Sequence, residues 1–296
     1  MDIFLQQLVN GLVLGSIYAL VALGYTMVYG ILGLINFAHG DICMIGALTA
    51  LTVAQALAAM GLPAPLVLVL SALAAVAVCS ALGVSIERAA YRPLRRAPRL
   101  APLITAIGVS ILLQYSAALI WGKQYLSMPE LMKPSEIAVS GVHLTDLQAF
   151  IFLLACAIMG GLLWFIRSTR AGRAMRATEQ NPDVAGLMGV NVNHVIALTF
   201  LLGSAVGAVA GVMVVLYYGI GHYFMGFMLG LKAFTAAVLG GMLLGVVESL
   251  ATGYIGDLTG GVLGSNYRDV FAFLVLILVL VFRPSGLLGE RVADRT

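Results

Sequence analysis

Only a few polar side chains interrupt the long apolar runs of this chain, and their types narrow the chemistry open to it. Asn36, His39 and Asp41 stand together in Ile35-Asn36-Phe37-Ala38-His39-Gly40-Asp41. Polar groups at membrane depth are expensive and tend to be functional. Two readings stand for this segment. One is a helix break that lines a pathway or fixes a gate; the other is an interfacial turn, with Asp41 capping the next helix and His39 at the water boundary. Tyr18, Tyr25 and Tyr29 fall near helical spacing and can line a polar seam, as can Gln114 and Tyr115 in a later run; core packing is the simpler reading for each tyrosine alone. Lys232 and Glu248 are the charges nearest membrane depth in the second half. A structural ion pair is the simpler reading for them, with support of a re-entrant segment or contact with a ligand as the others.

This inventory holds hydrogen-bonding and ion-pairing groups but no bond-making set. The chain has no GxxxxGK[ST], HExxH, paired CxxC or GxSxG, so no catalytic residue, metal site or ATP-binding loop of its own is expected. Cys43, Cys79 and Cys156 lie inside apolar runs and are odd in number. They read as buried free thiols, without a disulfide.

The largest polar stretch is Arg167–Asn193, with apolar segments on both sides. It carries its own helix signals. Asn181 suits an N-cap, Pro182 the first helical position, and Asp183 the positive end of the dipole. Val184, Leu187 and Met188 then fall on one face, and Gly189 can close the helix. The spacing predicts a helix of one to two turns with a small apolar face, held outside the membrane as a plug for a socket on another protein.

Composition sets the class. The chain is 61% hydrophobic and 10% charged, with a mean hydropathy of +1.03. Because about 20 apolar residues cross the hydrocarbon core, several runs qualify as spans, and one all-α, polytopic membrane domain over residues 1–296 is expected. No soluble catalytic domain fits. The first run lacks the features of a cleaved signal peptide and reads as a retained span.

Along the chain, the uncharged run Ile3–Ile35 exceeds one simple span. It reads as a crossing helix to about Gly24, then a bend or short second piece through Tyr29 and Asn36. Asp41–Gly61, Pro65–Ile86, Ala101–Trp121, Asp146–Ile166, His194–Tyr218 and Arg268–Phe282 are the other spans. Gly122–Thr145 is an outer loop and Gly221–Gly226 an outer turn. Gly203, Gly207 and Gly211 recur every four residues, which lets helix backbones approach closely. Phe227–Ile255 is expected to hold two half-length pieces, because the crossings between Arg176 and Arg283 must be even in number. The expected total is eight to nine helices, broken pieces included. Gly33–Ala50 and Gly230–Gly245 echo each other faintly, as broken helices do in the halves of many transporters.

The arginines give orientation. They crowd into 88–99, 167–176 and 283–295, whereas the opposite loops hold only Lys123, Lys133 and Arg268 against five acids. By the positive-inside rule those three basic regions, the C-terminus included, face the cytoplasm. The net charge of +3 thus reflects topology, and no nucleic-acid partner is expected beside the membrane lipid.

Several segments together resemble one family. LVNGLVLGS at Leu8–Ser16, GYTMVYGILGLINFAHGD at Gly24–Asp41 and SIERAAYRPLR at Ser85–Arg95 are similar to the N-terminal half of the LivH-like permeases of branched-chain amino acid ABC importers. GRAMRATEQNPDVAGLMGVN at Gly172–Asn191 resembles their ATPase-contacting loop, and KAFTAAVLGG at Lys232–Gly241 and FRPSGLLG at Phe282–Gly289 match as well. The resemblance implies the ABC importer permease fold in a bacterial inner membrane. It implies two cytoplasmic ATPase subunits that bind the ATP, a LivM-like paralogous permease and a periplasmic amino acid binding protein. Pro182–Met188 would be the coupling helix, with Arg173, Glu179, Asn181 and Asp183 as polar contacts around it. One departure stands out: the family continues after Leu239–Gly241 through a turn, roughly IGSIPGA, whereas here Gly241 runs straight into Met242. The two half-length pieces must then be joined with almost no linker, which threatens unpaired backbone groups in lipid.

From the residues alone, two rivals accompany an importer subunit. A stand-alone ion-coupled amino acid carrier would depend on Glu248 or Asp41, and a membrane scaffold would bind partners through Arg167–Asn193 without moving solute.

Overall fold

The computed structural model describes residues 2–33, 36–95, 97–98, 100–129, 136–139, 142–258 and 268–282. Helix α1 (Asp2–Leu32) is followed by α2 (His39–Ala59) and α3 (Ala64–Ile86). The last continues without a break through a π-helical turn, Glu87–Tyr91, and a 3-10 turn, Arg92–Leu94. Then come α4 (Leu100–Trp121), α5 (Asp146–Ser168), α6 (Arg170–Gln180), α7 (Pro182–Leu187) and α8 (Val192–Tyr218). The last described elements are α9 (Met225–Leu239), α10 (Gly241–Leu258) and α11 (Arg268–Phe282). Two short antiparallel ribbons complete it: β1 (Leu126–Ser127) with β4 (Ile220–Gly221), and β2 (Glu136–Val139) with β3 (Val142–Thr145).

Six helices among the described residues, α1 to α5 and α8, are long and apolar enough to span a bilayer. The bent pair α9–α10, at 115°, makes a seventh if taken as one span. This is fewer than the eight to nine expected, a total that counted short pieces separately. The apolar part of α11, Asp269–Val279, falls below the roughly 20 residues a crossing needs.

The expected bend near Gly24 is absent. Helix α1 runs on to Leu32, and the break falls at Gly33, whose φ of 63° is left-handed. Gly24 serves packing instead: a Cβ there would lie 2.9 Å from the Gly203 carbonyl oxygen of α8. Gly207 and Gly211 likewise abut Cys43 of α2, so the four-residue glycine repeat lets α8 seat closely on both α1 and α2.

The second break departs differently from expectation. Asn36 folds the chain into α2: its Oδ1 accepts from the Ala38 N–H at 3.1 Å and its carbonyl from the His39 N–H at 3.1 Å. Asp41 therefore does not cap the helix, which has no side-chain cap, and His39, 1% exposed, is not at a water boundary. Both lie in the first turn of a buried helix, because Asn36 supplies the turn before it.

The glycine-rich α10 packs along α1. A Cβ at Gly245 would lie 2.3 Å from the Gly15 Cα, so neither backbone leaves room for a side chain. Gly240 alone joins α9 to α10 with φ 87°. Its N–H reaches the Ala236 carbonyl at 2.8 Å and its carbonyl accepts from the Leu244 N–H at 3.1 Å. The linker-free junction thus keeps its own backbone pair bonded, which is what a turn in lipid requires.

Two ends of the bundle are distinct. At one, Gln6 exchanges two hydrogen bonds with the His143 backbone on β3, at 3.0 and 2.8 Å. The β1–β4 ribbon closes the same end, tied to α2 by a Gln55 amide hydrogen bond to the Ser127 carbonyl at 2.9 Å. The other end gathers the arginine turns and α6–α7, and Gly30 of α1 abuts Glu179 there.

Candidate functional site

Among the described residues, three polar constellations stand inside the bundle and a fourth lies at its surface. The deepest joins α1, α9, α10 and α11. Lys232 Nζ donates to the Tyr18 hydroxyl and to Glu248 Oε1, each at 2.8 Å, and sits 2.7 Å from Asp269 Oδ1. It also lies 5.0 Å from the Tyr18 ring centre, within cation–π range. Lys232 is 4% exposed and Glu248 fully buried. The ion pair expected between them is therefore part of a larger group. Asp269, read from sequence only as an outer-loop acid, is the missed member. The signal available was its place at the head of the last apolar run.

The second group joins α2 to α4. Ser110 donates to Asp41 Oδ2 at 2.5 Å, and the Gln114 amide donates to Asp41 Oδ1 at 3.1 Å. Ser110 and Gln114, four apart on α4, present one polar face. The N-terminal part of α9 packs directly beside it: a Cβ at Gly226 would meet Asp41 Oδ1 at 2.5 Å. Tyr115, the neighbour of Gln114, points away from this group and is 66% exposed.

A third cluster sits where the break before α2 meets the arginine turns. The Tyr91 hydroxyl donates to Asn36 Oδ1 at 2.8 Å. The buried Glu87 carboxylate accepts from Arg92 at 3.3 Å and from Arg95. Arg95 also donates to Asn193 at 2.6 Å, at the start of α8. Burial lowers the pKa of Arg95, and the Glu87 carboxylate opposes that shift. Sequence reading missed Glu87 and Tyr91 as organisers: the partner of Tyr91, Asn36, lies 55 residues away, and Glu87 meets Arg92 and Arg95 only because the π-helical and 3-10 turns fold them back onto it. Tyr25 and His39 are buried between these clusters, ring centres 6.3 Å apart. Tyr29, nearer the basic end, is half exposed.

The fourth region is the loop 167–193. Thr169 caps α6 by accepting from the Gly172 N–H, and Arg176 binds the Ile166 carbonyl at the end of α5, so α6 is anchored to the bundle. Arg173 reaches the Ser168 carbonyl at 3.3 Å. Glu179 lies against Gly30, its carboxylate within 3.1 Å of where a Cβ would be. Asn181 caps α7 by accepting from the Asp183 and Val184 N–H groups at 3.0 and 3.1 Å. Pro182 stands at its start, and Gly189, at φ 84°, follows its end. Ala185 is the buried contact of this helix. Val184, Leu187 and Met188 face outward, at 52, 87 and 80% exposure. The structure therefore builds a capped helix whose larger apolar side chains are unused by this chain.

Comparison with known proteins shows the family. Residues 7–280 match a family model described as branched-chain amino acid transport system, permease component. The chain is 47% identical to the high-affinity branched-chain amino acid transport system permease protein BraD of Pseudomonas aeruginosa, with 97% of this chain and 96% of that protein covered. It is 45% and 44% identical to the permease proteins LivH of Salmonella typhimurium and Escherichia coli K12, with the same coverage. Each comparison spans 303 positions, more than the 296 residues here, so these relatives carry residues without a counterpart in this chain. No solved structure matches. A multi-pass helical bundle with an anchored, outward-facing α7, matched from end to end in this way, belongs to the branched-chain amino acid transport permease family.

Proposed function

We propose that this chain is the membrane permease subunit of an ATP-driven importer that translocates branched-chain and similarly apolar amino acids delivered by a periplasmic binding protein. Family membership supports the cargo class, since the relatives are named for it. The observation that carries the mechanism is α7: a rigidly capped helix at the basic end that exposes Val184, Leu187 and Met188. Exposed apolar groups on an anchored helix lose little ordering entropy on docking, and their burial is the main favourable term of association.

In this reading, two cytoplasmic ATPase subunits seat α7 in a cleft, with Arg173, Glu179, Asn181 and Asp183 around it. The ATPases bind and hydrolyse ATP; this chain needs no cofactor. Helix α6 and the Arg95–Asn193 bond carry the displacement to α5 and α8. A LivM-like paralogue completes the pathway in the bacterial inner membrane, and the positive-inside rule places the arginine turns and the C-terminus in the cytoplasm. Tyr18, Tyr25, Tyr29, Asn36, His39, Gln114 and Tyr115 are the pathway candidates, with Lys232 and Glu248 as its structural charges.

Purification from native membranes with mild cross-linking tests the coupling role, using wild type and a Val184→Asp, Leu187→Asp double variant. An ATPase retained by wild type and lost from the variant supports it. Absence of any ATPase from wild type overturns it.

A further inference from the structure

A cavity of about 360 Å³ opens beside the β1–β4 ribbon and reaches inward to Tyr18, Lys232 and Asp269. That volume falls within the roughly 300–1,000 Å³ of small-molecule sites. Its two parts differ in chemistry. The outer wall is aromatic: Tyr125 and His222 stack with ring centres 4.5 Å apart. The flank is apolar, from Val214, Met225, Met228 and Leu229. The floor is the charge cluster, where the cation of Lys232 faces two carboxylates, Glu248 and Asp269. Glu248 is fully buried, while the side chain of Asp269 keeps 35% exposure.

We infer that this cavity is the site on the permease where an α-amino acid zwitterion binds, its ammonium on Asp269, its carboxylate on Lys232 and its apolar side chain against Met225, Met228 and Leu229. The inference rests on the proposed function and adds the location and chemistry of the site. Its physical basis is an exchange of ion pairs. An isolated charge entering this depth would pay a large desolvation penalty. A zwitterion brings both signs at once and opens the 2.7 Å contact between Lys232 and Asp269. Lys232 and Asp269 then each face one ligand charge, Lys232 keeps Glu248 at 2.8 Å, and the net charge of the site is unchanged. Charge-assisted hydrogen bonds replace charge-assisted hydrogen bonds. Met side chains line irregular apolar space adaptably, so several aliphatic side chains fit one site. The site carries one cation against two carboxylates, so a lone anion would add to a surplus of negative charge, whereas a zwitterion does not.

The test is thiol protection in the purified complex, without binding protein so that ligand reaches the cavity directly. Met228, half exposed on the cavity wall, is replaced by Met228→Cys in a Cys156→Ser background; Cys43 and Cys79 are buried. A membrane-impermeant methanethiosulfonate then labels the new thiol. Leucine at about ten times its Kd is expected to slow labelling roughly tenfold, by simple occupancy. The anionic analogue 4-methylpentanoate, at the same concentration, is expected to leave the rate unchanged. Equal rates with and without leucine overturn the site, and equal protection by 4-methylpentanoate overturns the paired-charge recognition. ATP-driven leucine import is measured separately, on the wild-type complex in vesicles with its binding protein added. If import persists without protection, the site falls and the function stands; if import is absent, the function falls and the inference with it.

Discussion

Two ion-pair clusters of this bundle use the same groups in opposite settings. In one, Lys232 is held by Glu248, Asp269 and Tyr18 deep between four helices, and the lysine is 4% exposed. In the other, Glu87 is fully buried, but its partners reach toward solvent, with Arg92 41% and Arg95 19% exposed. In the deep cluster only Asp269 keeps contact with the open cavity, so removing Lys232 strands the fully buried Glu248. The arginine cluster can rehydrate its cations and keeps one when the other is lost. In the proposed reading, the first selects a charged ligand and the second ties the arginine turns to α8.

The contrast breaks most sharply at Lys232. Lys232→Met leaves two carboxylates facing each other, and the loss is expected to be about 3–5 kcal/mol. Thermal unfolding of the detergent-solubilised protein should fall steeply, with part of the loss recovered by adding Glu248→Gln. Arg95→Ala comes next. Glu87 retains Arg92, so a smaller loss of about 1–3 kcal/mol is expected, together with weaker coupling of ATP hydrolysis to transport once the Asn193 bond is gone. Asn181→Ala removes two capping hydrogen bonds from α7, worth about 1 kcal/mol of local helix stability; co-purification of the ATPase should weaken while the melting midpoint holds. Arg92→Ala is expected to change stability by less than about 1 kcal/mol. An Arg92 effect as large as that of Lys232 would erase the distinction between the clusters.

What was legible in the sequence follows from how local each signal is. Helix α7 was readable in full, since Asn181, Pro182 and Gly189 act on backbone groups within a few residues of themselves. The glycine repeat at 203, 207 and 211 was readable as packing for the same reason. The two pieces α9 and α10 followed from counting crossings between Arg176 and Arg283. The break after α1 was placed too early, because nothing local separates a glycine that bends a helix from one that admits a neighbour; Gly24 is the second kind and Gly33 the first. Asp41 was read as a possible cap because its partners, Ser110 and Gln114, lie about seventy residues away in the chain. Asp269 stayed hidden as a cluster member for the same reason. Pairing across helices is a property of the packed bundle and leaves no periodic trace along the chain.

The departure after Gly241 shows how a local change meets a general constraint. Where the family's turn is missing, Gly240 takes up a backbone conformation open to glycine and keeps both its polar groups bonded. The junction rests beside α1, where a Cβ at Gly241 would come within 2.3 Å of the Ala19 backbone.

The central claim is that ATP hydrolysis, reaching the bundle through α7, drives the movement of an apolar amino acid. Leucine uptake into vesicles carrying the purified complex tests it most directly, with ATP, a non-hydrolysable analogue, or an imposed proton gradient as the alternatives. The account predicts accumulation with ATP alone, abolished by Val184→Asp with Leu187→Asp; accumulation driven by the proton gradient without ATP would contradict it.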